Sequence, residues 1–507
     1  MEFEKRWYQE NTVNALLRDT DNYNPVVAVP TGGGKTVILG LFCKRILKKY
    51  DVNILILGST KEIVKQDHKA ITQILQNEIG LYSAGLNSRT IEQVTVGSIQ
   101  TVFNCPENFQ NVDLVIIDEC HEIPYSSNSR YRKFFKSIKC EKFIGLSATV
   151  FRSNKRYIHE GKNALFNRIS YDLTQKENFN RLIKEGFLCE LRTKPTKFEL
   201  KIDGVKTVAG DFNQKQLDSV NNLDEVTKKA VSELAQYNKL DYKSWLVFCI
   251  NIDHCENVAA ELRKHNIDCE TLHTGRNGQR DEIIKRFKHG LTKVLVSVGM
   301  VTTGFDAPNV DLIALLRPTK SLVLHIQMIG RGFRVCKETG KTHCLILDYS
   351  GNLDRLGPVN DIQIGDTKKK KGGVSKPLKV CGGCGFYQPI SARKCEICGY
   401  EFTFKHSLKS RADTKAAVIV KNEKKWVNVT GVQYAIHRKK NKPDSFKVMY
   451  QIGLSRVNEF VCLEHSGGIK SKARHWVSWR WKTKQDIPQT VSELFDKRDL
   501  LSKPKKN

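Results

Sequence analysis

No apolar run in this chain approaches the roughly 18 residues that a membrane span requires. No apolar signal core follows the opening Met1-Glu-Phe-Glu-Lys-Arg6 either. Neither a secretory leader nor a membrane partner is expected, and the protein is expected to be soluble and intracellular. Carboxylates are scarce: 54 Asp+Glu face 83 Lys+Arg, a net charge of +29. A paired-cysteine framework is missing too. Fifteen cysteines is an odd count, and most sit singly in apolar runs, as Cys249 and Cys344 do. These are expected as reduced core thiols. There is no internal repeat beyond two similar α/β halves.

What is present is length and a lopsided charge. A chain of 507 residues exceeds what one core supports, so three or more domains are expected, and 40% apolar residues suffice to build them. From Asp366 to Asn507 there are 32 Lys+Arg against 12 Asp+Glu, whereas the first 365 residues hold 51 against 42. A positive field concentrated in the tail suits a polyphosphate partner. A basic tail that is merely solvated is the alternative.

Short apolar runs alternate with helical patterns from residue 25 to residue 349. Asn24–Pro30, Val52–Gly58, Leu114–Ile117 and Phe143–Leu146 read as strands, with helices over Thr36–Tyr50 and Lys61–Leu75. The pattern restarts with Ser244–Ile250, Lys293–Ser297, Val310–Leu315 and His343–Asp348. Uninterrupted Val/Ile/Leu runs between helices predict parallel sheets covered on both faces. The expected fold class is α/β. Residues 1–180 form one parallel-sheet domain and 181–360 a second, with a polar helical stretch over about 195–240 joining the sheets. A linker follows over 361–378, marked by Lys368-Lys-Lys-Lys371 and Gly372-Gly373.

Thr31-Gly-Gly-Gly-Lys-Thr36 opens a helix directly after the first strand. Gly32, Gly33 and Gly34 let backbone N–H groups approach phosphate oxygens, Lys35 adds a point charge, and the Thr36 hydroxyl suits Mg²⁺. A strict phosphate loop has glycine at position 29, where this chain has valine. Asp118 and Glu119 follow the strand Leu114–Ile117, at the end of a parallel sheet where such loops bind ligands. Asp118 is the candidate Mg²⁺ ligand and Glu119 the candidate general base. Arg331 and Arg334 are three apart and on a helix would share a face. They could stabilise charge on a transferring phosphoryl group, or simply form a basic surface.

Together these runs resemble the superfamily 2 DEAD/DEAH-type helicases, which implies two RecA-like domains in tandem with ATP and Mg²⁺ between them. The resemblance covers residues 1 to about 350. Arg6-Trp-Tyr-Gln9 resembles the adenine-recognising motif, implying that Arg6 and Gln9 meet the base. Ser59-Thr60 and Gly97-Ser-Ile-Gln100 fall where the family touches the nucleic-acid backbone. Ser147-Ala-Thr149 resembles the motif coupling hydrolysis to strand movement, with Val150 where proline is usual. Thr302-Thr-Gly-Phe-Asp306 places Gly304 and Asp306 at the nucleotide. Gln327-Met-Ile-Gly-Arg-Gly-Phe-Arg334 implies that Gln327 joins the catalytic set with Lys35, Asp118, Glu119 and the two arginines. Ser83-Ala-Gly-Leu, Asp118-Glu-Cys-His121, Leu316-Arg-Pro-Thr and Leu347-Asp-Tyr-Ser-Gly351 are most similar to the RadD-like DNA-repair helicases.

Cys381-Gly-Gly-Cys384 and Cys395-Glu-Ile-Cys398 have zinc-ribbon spacing, four thiolates for a tetrahedral Zn²⁺ over residues 379–403. So small a module needs the metal to fold. Whether it binds nucleic acid or protein is open. Residues 412–507 form a basic module holding Trp426, Trp476, Trp479 and Trp481. His475–Lys482 alternates rings and cations, as a half-buried strand would, and serves equally as core or as a base-stacking face.

The expected function is an ATP-dependent DNA helicase or translocase in repair, recombination or replication. It would act as a monomer in the cytoplasm or on the nucleoid (host cytoplasm if viral), on single-stranded or branched DNA, with a single-strand-binding or recombinase protein as a further partner. An RNA helicase is the alternative, as is a recombination accessory protein using ATP as a conformational switch.

Overall fold

In this computed structural model, residues 6–124, 126, 128–151, 157–161, 163–208, 210–220, 223–299, 305–360, 378–390, 392–402, 428–439, 442–452, 455–465, 468–483 and 486–502 are described. The expected linker, Trp426, Gly304 with Thr302 and Thr303, and the basic end after Ser502 lie outside them.

The uninterrupted apolar runs become short strands shielded on both faces. The first sheet comprises β1 (Pro25–Ala28), β2 (Ile54–Gly58), β3 (Gly80–Ser83), β4 (Ser88–Arg89), β5 (Val94–Ser98), β6 (Leu114–Asp118), β7 (Lys142–Ser147) and β8 (Arg168–Asp172). Their order is β4-β3-β5-β2-β6-β7-β1-β8, parallel except for the β3–β4 pair. Alternation along each strand divides the core. Val27, Ile56 and Ile116 face α1 (Trp7–Asp19), α2 (Lys35–Leu47) and α3 (Lys61–Leu75), while Val26, Leu55 and Ile117 face Phe134 and Phe135. Each such side chain contributes about 1.5–3 kcal/mol by leaving water.

The second sheet contains β9 (Glu190–Thr193), β12 (Trp245–Phe248), β13 (Cys269–Leu272), β14 (Val294–Ser297), β15 (Leu312–Leu315) and β16 (His343–Asp348), in the order β13-β14-β12-β15-β16-β9. All its pairs are parallel. Between β9 and β12 lie a two-stranded hairpin, β10 (Thr207–Val208) with β11 (Asp211–Phe212), and the helices Gln214–Val220 and Leu223–Tyr237. Leu246, Phe248 and Ile313 belong to the same apolar cluster as Val27 and Ile116, so one buried layer runs from one sheet into the other.

Past residue 377, β17 (Leu378–Val380) and β18 (Tyr387–Pro389) carry the cysteine module. Phe386 buries it against the second sheet, packing with Trp245, Leu345 and Tyr349. A second compact unit, Asn422–Asn507, has its own core. There β19 (Gly431–Lys439), β20 (Lys442–Ile452) and β21 (Ser455–Val461) form an antiparallel sheet, followed by helices Gly468–Arg480 and Val491–Asp496.

The half-buried strand expected over His475–Lys482 is corrected: most of it belongs to the helix Gly468–Arg480. Helical spacing puts Ala473 and Val477 on the buried face with Trp481, while Trp479 is 76% exposed. Alternation of rings and cations imitates a strand but is satisfied here by a helix laid on the sheet.

Candidate active site

The loops after β1, β6 and β7 meet at the C-terminal edge of the first sheet, because β7 lies between β1 and β6. After β1 the chain turns through Thr31–Gly34 into α2. Gly34 caps that helix at φ +76°, a conformation costly for any residue with a Cβ. Val29, the departure from a strict phosphate loop, is fully buried in the core with Ile38 and Leu39, so its side chain does not face the phosphates.

Glu119 is held at φ +49°, ψ 45°, left-handed for a non-glycine residue. Such strain persists only where surrounding contacts impose it. Here Lys35 Nζ donates to Glu119 Oε1, and His121 Nδ1 lies 3.3 Å from Glu119 Oε2. Burial alone would raise the Glu119 carboxyl, but Lys35 and His121 outweigh it and hold Glu119 well below the ordinary carboxylate range. Burial pushes Asp118 up to about 6 against the pull of Lys35.

Asp67, on α3, was not singled out in the sequence. It accepts a hydrogen bond from Thr36 Oγ1 at 3.0 Å and is 1% exposed. Burial and the neighbouring Asp118 push its carboxyl well above the usual range. Asp67 Oδ2 and Asp118 Oδ1 are both buried without a hydrogen-bond partner. Two orphaned carboxylate oxygens beside a hydroxyl are the donor set of a hard, oxygen-loving cation, so Thr36, Asp118 and Asp67 fit Mg²⁺.

The second sheet closes the site. Gln327 projects from the helix Leu322–Gly330, and its amide lies 3.4 Å from His121 Nε2. Ser147 Oγ donates to the Thr149 carbonyl, so it accepts from His121 Nδ1 at 2.8 Å. His121 thus faces Ser147 through Nδ1 and the Gln327 amide through Nε2. This one imidazole ties Glu119, the end of β7 and the second sheet together.

Arg331 and Arg334 do not share a helix face as expected. The helix stops at Gly330; Arg331–Phe333 form a 3₁₀ turn, and Arg334 is extended at ψ 132°. The turn is closely packed. A Cβ at Gly330 would lie 2.8 Å from Thr31 Oγ1 of the phosphate loop, and one at Gly332 would lie 2.8 Å from Leu191 Cδ2. Both arginines still reach the cleft. Arg331 donates to the Phe305 carbonyl and Arg334 pairs with Asp306. Burial lowers each guanidinium to about 10, which leaves it charged at neutral pH.

The charged and polar side chains of this site, Ser147 aside, line one cavity of about 500 Å³. Thr31, Gly32, Gly34, Lys35, Thr36, Asp118, Glu119, Asp306, Gln327, Arg331 and Arg334 are among its walls. Gly33 is not: its Cα faces Val29 and Pro30. Arg6 lines the far end beside Phe187, its guanidinium 5.3 Å from that ring. Phe187, another residue the sequence did not flag, lies under the Arg6 guanidinium and packs edge-on against Tyr8. Gln9 is buried, at 3% exposure, with its amide packed on Gly34.

Elsewhere on the first sheet Thr60 caps α3, Ser98 caps Ile99–Val102, and Gln100 Nε2 donates to the Ser59 carbonyl at 2.7 Å. Lys61, Arg89, Ser98 and Gln100 line a separate cavity of about 300 Å³ there. In the cysteine module, Cys381 Sγ lies 3.6 Å from Cys398 Sγ and Cys384 Sγ 3.7 Å from Cys395 Sγ; all four ligand atoms fall within 4.8 Å of one another. Zn–S bonds of about 2.3 Å give a tetrahedron with edges of about 3.8 Å, so the donor set fits zinc. None of the fifteen cysteines forms a disulfide.

Comparison with known proteins follows the same division. Residues 2–152 match the family described as type III restriction enzyme, res subunit, and residues 226–336 match the helicase conserved C-terminal domain. A Saccharomyces cerevisiae protein named as an ATP-dependent helicase, IRC3, is 30% identical over 366 residues, 68% of this chain and 51% of that protein. A Schizosaccharomyces pombe protein named as a mitochondrial ATP-dependent helicase is 31% identical over 368 residues, 69% of this chain and 58% of that protein. The chain thus spans little more than half the length of these relatives. A fragment of an HsdR subunit of a type I restriction enzyme from Vibrio vulnificus superposes with a TM-score of 0.55 at 21% identity, over 71% of this chain and 68% of that one. That likeness is one of fold. Among the described residues, no helix is long and apolar enough to cross a membrane.

Proposed function

This chain belongs to the superfamily 2 helicases, and from that premise we propose that it is an ATP-driven DNA helicase or translocase. The observation that carries the reading is the cavity of about 500 Å³ in which Lys35 and Glu119 of one sheet face Arg331, Arg334 and Gln327 of the other. Neither half alone holds both the acid–base group and the charge-stabilising arginines.

The arrangement supports a cycle of exchanged ion pairs. When a nucleotide enters, backbone N–H groups of the Gly32–Thr36 turn and the Lys35 ammonium receive its phosphates. Lys35 then releases Glu119, whose proton affinity rises as it loses that cation. Glu119 becomes a competent base for the attacking water while His121 holds its orientation. Arg331 and Arg334 leave the Phe305 carbonyl and Asp306 for the developing negative charge. Thr36, Asp118 and Asp67 would hold Mg²⁺, which would supply charge neutralisation and orientation. Loss of γ-phosphate removes the arginines' second anchor, so the sheets part, and strain on the His121–Gln327 contact reaches Ser147 and the nucleic-acid face near Gln100.

Zinc on Cys381, Cys384, Cys395 and Cys398 would fasten the ribbon to the second sheet through Phe386. A role in repair or recombination is the finer half of the proposal; it rests on the RadD-like motifs and the basic tail. The test is ATP turnover with single-stranded DNA, duplex DNA and RNA. Stimulation by DNA above RNA is expected. Stimulation by RNA alone would make it an RNA helicase, and none by any of the three would defeat the motor reading.

A further inference from the structure

In the C-terminal unit, β19, β20 and β21 present two unlike faces. Phe446, Val448 and Tyr450 of β20 point inward and pack with Ala473, Val477 and Leu494 of the following helices and with Trp481. The residues between them point to the open side, where an isolated solvent face would be expected to alternate charges of both signs. It does not. Lys447 sits mid-strand, paired in register with Phe460 on β21 and Ala435 on β19. Phe460 is 46% exposed. His437 reaches its ring from the opposite strand, centroids 5.0 Å apart, across the small Ser445, and the Lys447 ammonium lies 6.0 Å from the Phe460 ring. The next pairs along the sheet set Met449 beside Asn458 and Gln451 beside Arg456. No carboxylate falls on this face among the described residues of the three strands.

We propose that this open sheet face is a second binding surface, taking single-stranded nucleic acid with Phe460 as its base-stacking platform. Three physical features commit it to that occupant. Exposed rings on a sheet stack unpaired bases, which a duplex keeps hidden. The flanking cations, Lys447 and Arg456, complement phosphates and meet no competing acid on this face among the described residues. Rows of outward residues recur about every 7 Å along a strand, a spacing one extended nucleotide can follow. The partner class rests on the reading of the chain as a nucleic-acid motor, but the surface lies outside the motor core. Trp479, more exposed and on the helix Gly468–Arg480, is the rival platform.

The experiment uses the full chain, fluorescein-labelled dT30 and a duplex of equal length. Phe460→Ala should weaken dT30 binding about tenfold, within the range of one lost base–aromatic stack. It should also raise the dT30 concentration for half-maximal ATPase by a similar factor, leaving maximal turnover and duplex binding within about twofold. Lys447→Ala should lower the salt dependence of dT30 binding by about 0.7 in log–log slope, one phosphate contact. Both positions face solvent, and a thermal melt matching wild type checks that the fold is kept. Unchanged dT30 binding in Phe460→Ala, or a loss confined to Trp479→Ala, overturns the proposal while leaving the motor reading in place. If wild type itself shows neither dT30 binding nor stimulation, both fall.

Discussion

The two parallel sheets end on the same cleft, yet they bring opposite chemistry to it. The first supplies carboxylates, Asp67, Asp118 and Glu119, around a single lysine; the second supplies Arg331 and Arg334 with Gln327. Left to itself, each side is an electrostatic problem. Burial, with a smaller push from the neighbouring acids, drives Asp67 and Asp118 upward, and burial depresses both arginines. The sheets answer it internally, Lys35 on Glu119 and Arg334 on Asp306. On the proposed function the two pairs are stand-ins, and a nucleotide with its cation would satisfy both sides at once.

The comparison breaks most severely on the arginine side. Arg331→Ala is expected to lower turnover about 10³-fold or more, as removing an arginine finger does. Nucleotide affinity should shift only a few-fold; an equal loss of affinity would make Arg331 a binding residue instead. On the acid side, Glu119→Gln should cost about 10²–10⁴ in kcat with binding retained. Ordinary hydrolysis in that variant removes Glu119 as the base. Asp67→Asn sharpens the question of which acids serve the cation. It should raise the Mg²⁺ concentration for half-maximal ATPase about 10–100-fold, and weaken Mn²⁺ binding seen by electron paramagnetic resonance in the nucleotide complex. A lower melting temperature with unchanged metal dependence would leave Asp67 a purely structural partner of Thr36. The smallest effect on the cleft is expected from Cys381→Ser. Metal analysis should show the zinc lost and the ribbon loosened, while the nucleotide KM stays within about twofold because no cysteine meets the cleft's charges.

Much of this was legible in the residues. Continuous Val/Ile/Leu runs placed β1, β2, β6, β7 and β16 within a residue or two, since a strand buried on both faces admits nothing polar. The glycines before Lys35 and the cysteine spacing were equally plain, because local backbone geometry dictates them. Three things were not. Asp67 reads as one more acid on an amphipathic helix; only the approach of α3 to α2 makes it a partner of Thr36. Phe187 lies far along the chain from the phosphate loop it adjoins. His475–Lys482 alternates like a strand, and only the core beneath it shows that Val477 and Trp481 are inward at helical spacing.

The sequence by itself determined the local chemistry: which strands are shielded, where phosphates can approach backbone, which thiols can share a metal. These depend on neighbours a few residues apart. Tertiary structure decided everything that joins distant segments. Gly330 admits Thr31 at contact distance, so the second sheet can press its arginines into the first sheet's cleft. His121 bridges Glu119 and Gln327 because two sheets close on it. The tail's cations acquire an aromatic neighbour at Phe460 only when three strands fall into register. The physical reason is the same in each case: charge and packing act through space over a few ångströms, whatever the separation along the chain.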